Sequence, residues 1–248
     1  MEKELSVSKL EKGVWEIYLD RGEKANALSK SLVSEIHAAI KQLTASQARV
    51  VILRSKGNAF CSGFDFAGYK SMSIGDLLLR FVEIELMLQD LRQASFLSIA
   101  FVDGPAFGAG ADIAMACTWR VGTKNSKFRF PGFQFGLALG TRRLTSIVGM
   151  QNARDILLLN QMITADQAVS LGMLNELVTV DTIHESLNRI VLQIEKLDVN
   201  SINRISTMTI ENTNHEDLSD LVRSIRYGDL HDRISSYLSE IKISAKAE

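Results

Sequence analysis

The sequence predicts an α/β fold in a single domain of catalytic size, and three observations carry that expectation. Short strand-like apolar runs alternate with helix-period stretches up to residue 141. Beyond Thr141 the β pattern fades and amphipathic helical stretches take over. With 46% hydrophobic residues in 248, the chain has enough apolar material for a substantial core, and no internal repeat, low-complexity tract or Pro/Ser linker divides it. Residues 1–180 are therefore expected to form an α/β core, and 181–248 a helical region that packs on the core or on another subunit.

Each element has its own signal. GVWEIYL (13–19) alternates Val14, Ile17 and Leu19 with polar or aromatic partners, as a half-buried strand does. Leu32, Ile36, Ala39, Ile40 and Leu43 recur at three- and four-residue steps after Ser29 and Ser31, either of which can cap a helix. RVVILR (49–54) suits a strand covered on both faces. The pattern then repeats, with a helix over 77–93, a strand over 96–102 and a turn opening into a buried helix over 108–117. Later helices are expected around 142–149, 151–159, 165–171, 182–197 and 215–241, and the stripe Ile183, Leu187, Ile190 and Ile194 is expected to bury against another subunit.

Charge and cysteine usage exclude several function classes. The 28 basic and 29 acidic residues leave a net charge of −1, so no overall field draws the protein to nucleic acid or an anionic membrane. Cys61 and Cys117 form no C-x-x-C pair, and His37, His184, His215 and His231 are scattered, so no metal site is expected. The two thiols read as buried apolar residues of a reducing compartment. The charged N-terminal stretch MEKELSVSKLEKG lacks a signal-peptide core, and no apolar run reaches the roughly 18 residues of a membrane span. A cytoplasmic location is expected.

The chemistry is expected at two glycine-bearing turns that follow strands: NAFCSGFDF (58–66) and DGPAFGAGAD (103–112). Glycine lets a backbone turn tightly and present bare N–H groups. If both turns lie at one edge of a sheet, an N–H from each can converge on a single carbonyl oxygen, the geometry of an oxyanion hole. FPGFQFGLALG (130–140), rich in aromatic residues and glycine and free of acids, could wall an apolar pocket beside them.

At these residues the chain resembles a known family. NAL (26–28), AFCSGFD (59–65), DGPAFGAGADIAMAC (103–117), SKFRFP (126–131), RRLTSIVG (142–149) and ARDILLLNQMITADQAVSLGMLNELV (153–178), in this order and spacing, are similar to the enoyl-CoA hydratase/isomerase (crotonase) family. The resemblance covers residues 10–180 strongly and the helical tail weakly. It implies a spiral of strand-strand-helix units with a C-terminal helical trimerisation region, assembled as a homotrimer or a dimer of trimers. It implies an acyl-CoA or enoyl-CoA thioester as substrate, with coenzyme A as part of that substrate and no separate cofactor. The hole donors would be the backbone N–H groups of Phe64, which follows the glycine of SGFD, and of Ala109, which stands where the family commonly has glycine. Segments carrying Lys24, Ala25, Lys56, Ala59, Phe60, Gly63, Asp65, Gly108, Pro131, Gly132, Leu139 and Gly140 would contact substrate. In the tail, Tyr237 and Lys242 roughly match positions where an aromatic and a lysine approach coenzyme A from a neighbouring subunit.

The chain departs from the family where the hydratases carry two glutamates that act on water: here those positions hold Asp112 and Gly132. The loop between Gly140 and Thr141 is also about three residues shorter than in the family. Asp112 is one methylene shorter than glutamate, and misplacement on that scale can cost about 100-fold in rate. It can serve as a lone base, or it can simply favour the start of its helix through the helix dipole. A glutamate restored at 132 would be expected to raise hydration. Glu83 and Glu85 are on different helix faces and both are expected at the surface. His37 reads as a boundary residue, and Ser62 lacks the elbow and histidine of a nucleophile. Arg142 and Arg143 can meet phosphates or pair with carboxylates. An enzyme that stabilises an enolate, an acyl-CoA-binding homologue without turnover, and a divergent member doing thioester hydrolysis or decarboxylation all remain open.

Overall fold

The structure is a computed structural model and describes residues 3–11, 13–225 and 229–247. Its elements in chain order are β1 (Leu5–Lys9), β2 (Val14–Leu19), α1 (Lys30–Ala45), β3 (Val50–Ser55), α2 (Ile74–Arg92), β4 (Leu97–Val102), β5 (Pro105–Phe107), α3 (Ala109–Ala116), β6 (Trp119–Gly122) and β7 (Lys127–Arg129). They continue with α4 (Thr141–Val148), α5 (Met150–Leu158), β8 (Ile163–Thr164), α6 (Ala165–Ser170), β9 (Glu176–Leu177), α7 (Ile183–Gln193), α8 (Val199–Thr209), α9 (Asn214–Ser224) and α10 (Leu230–Ala247).

A six-stranded sheet has the order β1-β2-β3-β4-β6-β9, and a smaller one the order β5-β7-β8. In the large sheet β1 is antiparallel to β2 and every other pair is parallel. The chain repeats one move: a strand in the large sheet, a strand or single bridge in a second layer, then a helix. It runs β2, the Leu28 bridge, α1; β3, the Cys61 and Phe64 bridges, α2; β4, β5, α3; and β6, β7, then the helices from α4. This is the spiral of strand-strand-helix units that the resemblance implies.

The helices form where their sequence caps and stripes direct. Ser29 is the cap of α1, accepting from the Leu32 N–H at 3.0 Å, and α1 buries Leu32, Val33, Ile36, Ala39, Ile40 and Leu43. Each such leucine or isoleucine is worth about 1.5–3 kcal/mol relative to exposure. α2 starts in a capping box of Ser73 and Asp76. All six residues of β4 are buried, which explains why its sequence, LSIAFV, is apolar apart from Ser98. Cys61 and Cys117 are free and buried, and burial pushes both thiols up to about 12. Among the described residues, no helix is long and apolar enough to cross a membrane.

The helical end differs from expectation in three ways. Ile183, Leu187 and Ile190 do not face outward for a partner: they pack on the chain's own large sheet, against Val14, Val50, Ile52, Leu97, Ile99, Phe101 and Val121, with Ile194 partly buried at the edge. That sheet face needs cover, and the tail supplies it within one chain. The stretch expected as one helix over 215–241 is two, α9 and α10, and α8 precedes them. α10 returns across the front of the molecule, where Leu230 and Ile234 are buried in the main core and the Ser235 hydroxyl lies 2.7 Å from the Tyr69 hydroxyl.

Candidate active site

Two turns from neighbouring repeats of the spiral are stitched together at the mouth of the sheets. The Cys61 N–H donates to Pro105 O at 3.2 Å, and the Phe107 N–H donates to Cys61 O at 2.9 Å. A third segment joins them, with Ser62 N–H to Ala25 O at 3.0 Å and Leu28 N–H to Gly63 O at 2.7 Å. Gly63 has φ +90°, and a Cβ there would stand 2.6 Å from Phe107 O and 3.4 Å from Ala109 N. The two loops approach so closely that only glycine fits between them. Gly110 is equally constrained, since a Cβ there would lie 2.2 Å from Cys61 O.

Among the described residues, the backbone N–H groups of Phe64 and Ala109 donate no hydrogen bond, while those of Cys61, Ser62, Asp65, Phe107 and Gly108 do. Ala109 is the first residue of α3, whose terminal N–H groups lack intrahelical acceptors and carry the positive end of the helix dipole. Positive φ among non-glycine residues occurs only at Ala25, Asn26, Gln47 and Asn160 of the described residues, so alanine at 109 carries no such strain. Phe64 and Ala109, whose N–H groups donate no hydrogen bond, both line one pocket.

That pocket is narrow, with about 50 Å³ of room for solvent-sized atoms, and it opens to solvent. Seven residues of the 130–140 stretch contribute, Phe130, Pro131, Gly132, Phe133, Phe135, Leu137 and Leu139, so it is the expected wall. Phe64, Phe66 and Phe81 form the opposite side, with ring centroids 5.0 Å apart for Phe64 and Phe66 and 4.4 Å for Phe64 and Phe81. Tyr237 of α10 closes the pocket from the same chain, its ring 5.2 Å from that of Phe135. Burial raises the Tyr237 hydroxyl above its ordinary range.

Asp112, in the first turn of α3, is the one carboxyl lining this pocket among the described residues. It is buried and its Oδ1 has no hydrogen-bond partner. Burial pushes the carboxyl up to about 8; the Arg143 guanidinium pulls it down, and Glu85 and Asp217 push it further up. Burial thus favours the neutral, protonated form of Asp112.

Glu85 departs from expectation. Far from the surface, it is 1% exposed and holds Arg143, also 1% exposed, through both oxygens at 2.9 and 2.6 Å, while the Gln89 amide donates to it at 2.8 Å. A buried carboxylate needs such a partner, and the α2 stripe alone does not reveal that α4 brings one. Glu83 is half-buried. Arg142 pairs with Asp217 at 3.2 Å and Asp220 at 2.6 Å, so both arginines serve carboxylates. At Gly132 a Cβ would stand 2.7 Å from Leu137 O, whose own N–H donates back to Gly132 O at 2.9 Å. The position is closed to a side chain by its own turn, so a glutamate there cannot be accommodated as expected.

Of the remaining expected contacts, Gly63, Gly108, Pro131, Gly132 and Leu139 line the pocket with Phe64, Ala109 and Asp112. Ala59 and Phe60 are buried in the turn behind it. Ala25 stands in the left-handed region and accepts from Ser62. Lys24 is exposed, Lys56 pairs with Asp20, and Asp65 pairs with Arg21 at 2.8 Å. Gly140 lies under the Asp112 carboxyl rather than in the pocket wall. His37 is held by Asp90 at 2.6 Å, and Ser62 lines the pocket mouth. The Lys242 side chain lies outside the described residues.

Two braces of the site went unread. Asn26, fully buried with φ +52°, donates to Lys56 O and Ala59 O at 2.8 Å each and accepts from the Arg21 N–H at 2.9 Å. Arg80 is buried in α2, donates to Leu28 O at 2.9 Å and Asp65 O at 3.2 Å, and lies 4.4 Å over the Phe64 ring. An arginine inside the apolar run LLLRFV was the available signal for the second.

The chain is similar to known proteins over most of its length. The model of the family described as Enoyl-CoA hydratase/isomerase matches residues 9–229. A protein of Mycobacterium tuberculosis named "Probable enoyl-CoA hydratase echA6" is 36% identical over 167 residues, covering 66% of this chain and 67% of that protein. The enoyl-CoA isomerase/hydratase fer4 of Mycosarcoma maydis is 31% identical over 183 residues, 68% of this chain and 67% of the other. A crystal structure named for an enoyl-CoA hydratase/isomerase of Bordetella parapertussis superposes with a TM-score of 0.91 at 33% identity, covering 95% of this chain and 98% of the other.

Proposed function

Because the chain belongs to the enoyl-CoA hydratase/isomerase family, we propose that it takes an acyl-CoA or enoyl-CoA thioester and stabilises the enolate formed from it on the N–H groups of Phe64 and Ala109. The observation that carries this reading is that these two N–H groups, on turns stitched to each other, donate no hydrogen bond, and that both residues line the pocket. A donor placed where negative charge develops is typically worth about 3–4 kcal/mol in the transition state. The lining of the pocket is largely aromatic and apolar, which lowers the local dielectric and strengthens both interactions.

The proton chemistry of this proposal rests on Asp112. In its ionised form, whose share grows as pH rises towards 8, it takes the α-proton of the thioester to give the enolate, and the neutral acid so formed returns a proton to carbon. Two-carboxylate addition of water has no second group here, because Gly132 leaves none at the other position. The proposed reaction class is thus proton transfer at a carbon next to the thioester carbonyl. Lys24, exposed near the Ala25 turn, is the proposed contact for the phosphates of coenzyme A. The cytoplasm is the proposed compartment, supported by the two unpaired thiols. The proposed assembly is a homotrimer or a dimer of trimers, to be checked by sedimentation.

The solitary neutral carboxyl also favours a second reading, a homologue that binds acyl-CoA without turnover. One experiment separates the two. A saturated acyl-CoA is incubated with the protein in D2O and α-deuterium is followed by mass spectrometry, with binding measured alongside. Enolate formation exchanges the α-proton, and Ala109→Pro, which deletes one donor, abolishes the exchange. Saturable binding with no exchange supports the binding protein. Absence of binding to any acyl-CoA defeats both.

A further inference from the structure

The buried Glu85–Arg143 pair does nothing in the reading above, yet it stands next to the pocket acid. Arg143 is at the third position of α4, one turn from Gly140, and Gly140 is the residue against which the Asp112 carboxyl packs: a Cβ there would stand 1.7 Å from Oδ1. Arg143 is thus at hand as a counter-ion for Asp112. It is held elsewhere: both arms of its guanidinium point to Glu85, and its Nε is buried without a partner, as is Oδ1 of Asp112. Two complementary groups, an orphaned N–H donor and an orphaned carboxyl oxygen, remain unjoined in one buried cluster.

The other surroundings of Asp112 leave it no alternative. Of the elements packed against α3, β4 and β5 bring no titratable side chain. α2 brings Glu85, with Arg92 further along the helix towards Asp217 and Glu211, and α4 brings Arg143. From α9, Asp217 is satisfied by Arg142 at 3.2 Å and by the Thr213 hydroxyl at 2.7 Å, with Arg143 at 3.8 Å. Tyr237 of α10 faces the pocket as a neutral phenol.

We infer that Glu85 is a positioning residue for the site: by engaging both arms of Arg143 it withholds from Asp112 the one counter-ion within reach among the described residues, and so keeps Asp112 a neutral proton donor. A buried ion pair is weak support for stability by itself, because desolvation offsets most of its attraction. A pair that sets the charge of its neighbour has a different use. The high position of the Asp112 carboxyl, about 8, agrees with this. The inference depends on the proposed function only in making Asp112 the proton carrier; the charge control itself is a property of the free protein.

The test is therefore read on the protein without any thioester. In a chain labelled with 13C at the aspartate side-chain carboxyl, the Asp112 signal is assigned as the one missing in Asp112→Asn, and its titration is followed. Glu85→Gln keeps the shape and one oxygen of Glu85 but frees the charge of Arg143, and the Asp112 midpoint is expected to fall by about one pH unit or more, a tenfold change in proton affinity. An unchanged midpoint in that variant overturns the inference. Should Glu85→Gln not fold, the double variant Glu85→Met with Arg143→Met, apolar and of similar reach, serves instead. Removing a neutral pair leaves the midpoint within about half a pH unit of the original, whereas a fall beyond one unit overturns the inference. A purely structural pair predicts no such contrast between the single and double variants, and loss of thioester binding or exchange has no bearing on either outcome.

Discussion

Oδ1 of Asp112 lies 1.7 Å from the point where a Cβ on Gly140 would stand, and Gly140 itself has φ +67°. The glycine at the head of α4 is thus what allows a carboxyl to enter this corner of the pocket. Gly140→Ala is expected to destabilise the protein by about 1–3 kcal/mol through backbone strain and collision. Replacing Asp112 by alanine in the same chain should return part of that loss, leaving only the strain. A denaturation double-mutant cycle with no coupling between 112 and 140 contradicts the contact.

The raised position of the Asp112 carboxyl makes stability depend on pH with a definite sign. The folded state holds its proton up to about 8, the unfolded chain loses it near 3.8, so between these values the folded state binds more protons. Stability associated with this group is full below about pH 4 and falls as pH rises towards 8. Asp112→Asn cannot ionise and should escape that fall. Its advantage over the wild type should grow from pH 4 to pH 9, reaching on the order of a few kcal/mol. A constant difference across that range in urea titrations would mean that Asp112 is ionised when folded.

Introducing a side chain at 132 is expected to fail for a steric reason. A Cβ there meets the Leu137 carbonyl oxygen at 2.7 Å, across a turn closed by a hydrogen bond. Gly132→Ala should cost about 1–3 kcal/mol, and Gly132→Glu should gain no hydration of crotonyl-CoA even with acyl-CoA binding retained. Appearance of efficient hydration in Gly132→Glu would show that the turn yields readily.

Asn26 carries much of the order of the first turn. Asn26→Ala leaves Lys56 O, Ala59 O and the Arg21 N–H without a partner and places a second alanine at positive φ beside Ala25. Each unsatisfied buried group costs about 1–3 kcal/mol. The variant is expected to be strongly destabilised in thermal melts, and Asn26→Asp less so if its oxygen still accepts from Arg21. Equal melting of Asn26→Ala and wild type would remove the role assigned to this residue.

Periodicity, caps and turn glycines are local signals, and what they determine is local. The strand at 97–102, the Ser29 cap, the α1 stripe and the two glycine turns were legible from sequence because each follows from the chain's own covalent geometry. β8 and β9, two residues each, are too short to show alternation, and α8 is dominated by serine, asparagine and threonine, which favour helices weakly. The motifs of the resemblance located the hole residues and the departures at Asp112 and Gly132. What the Ile183–Ile190 stripe faces, whether Glu85 is wet or buried, and whether position 132 has room for a side chain were decided only when distant segments met. Those outcomes depend on desolvation and on contacts between distant elements, 58 residues apart for Glu85 and Arg143 and further for Ile183 and Val14, and neither quantity is encoded in the spacing of any single segment.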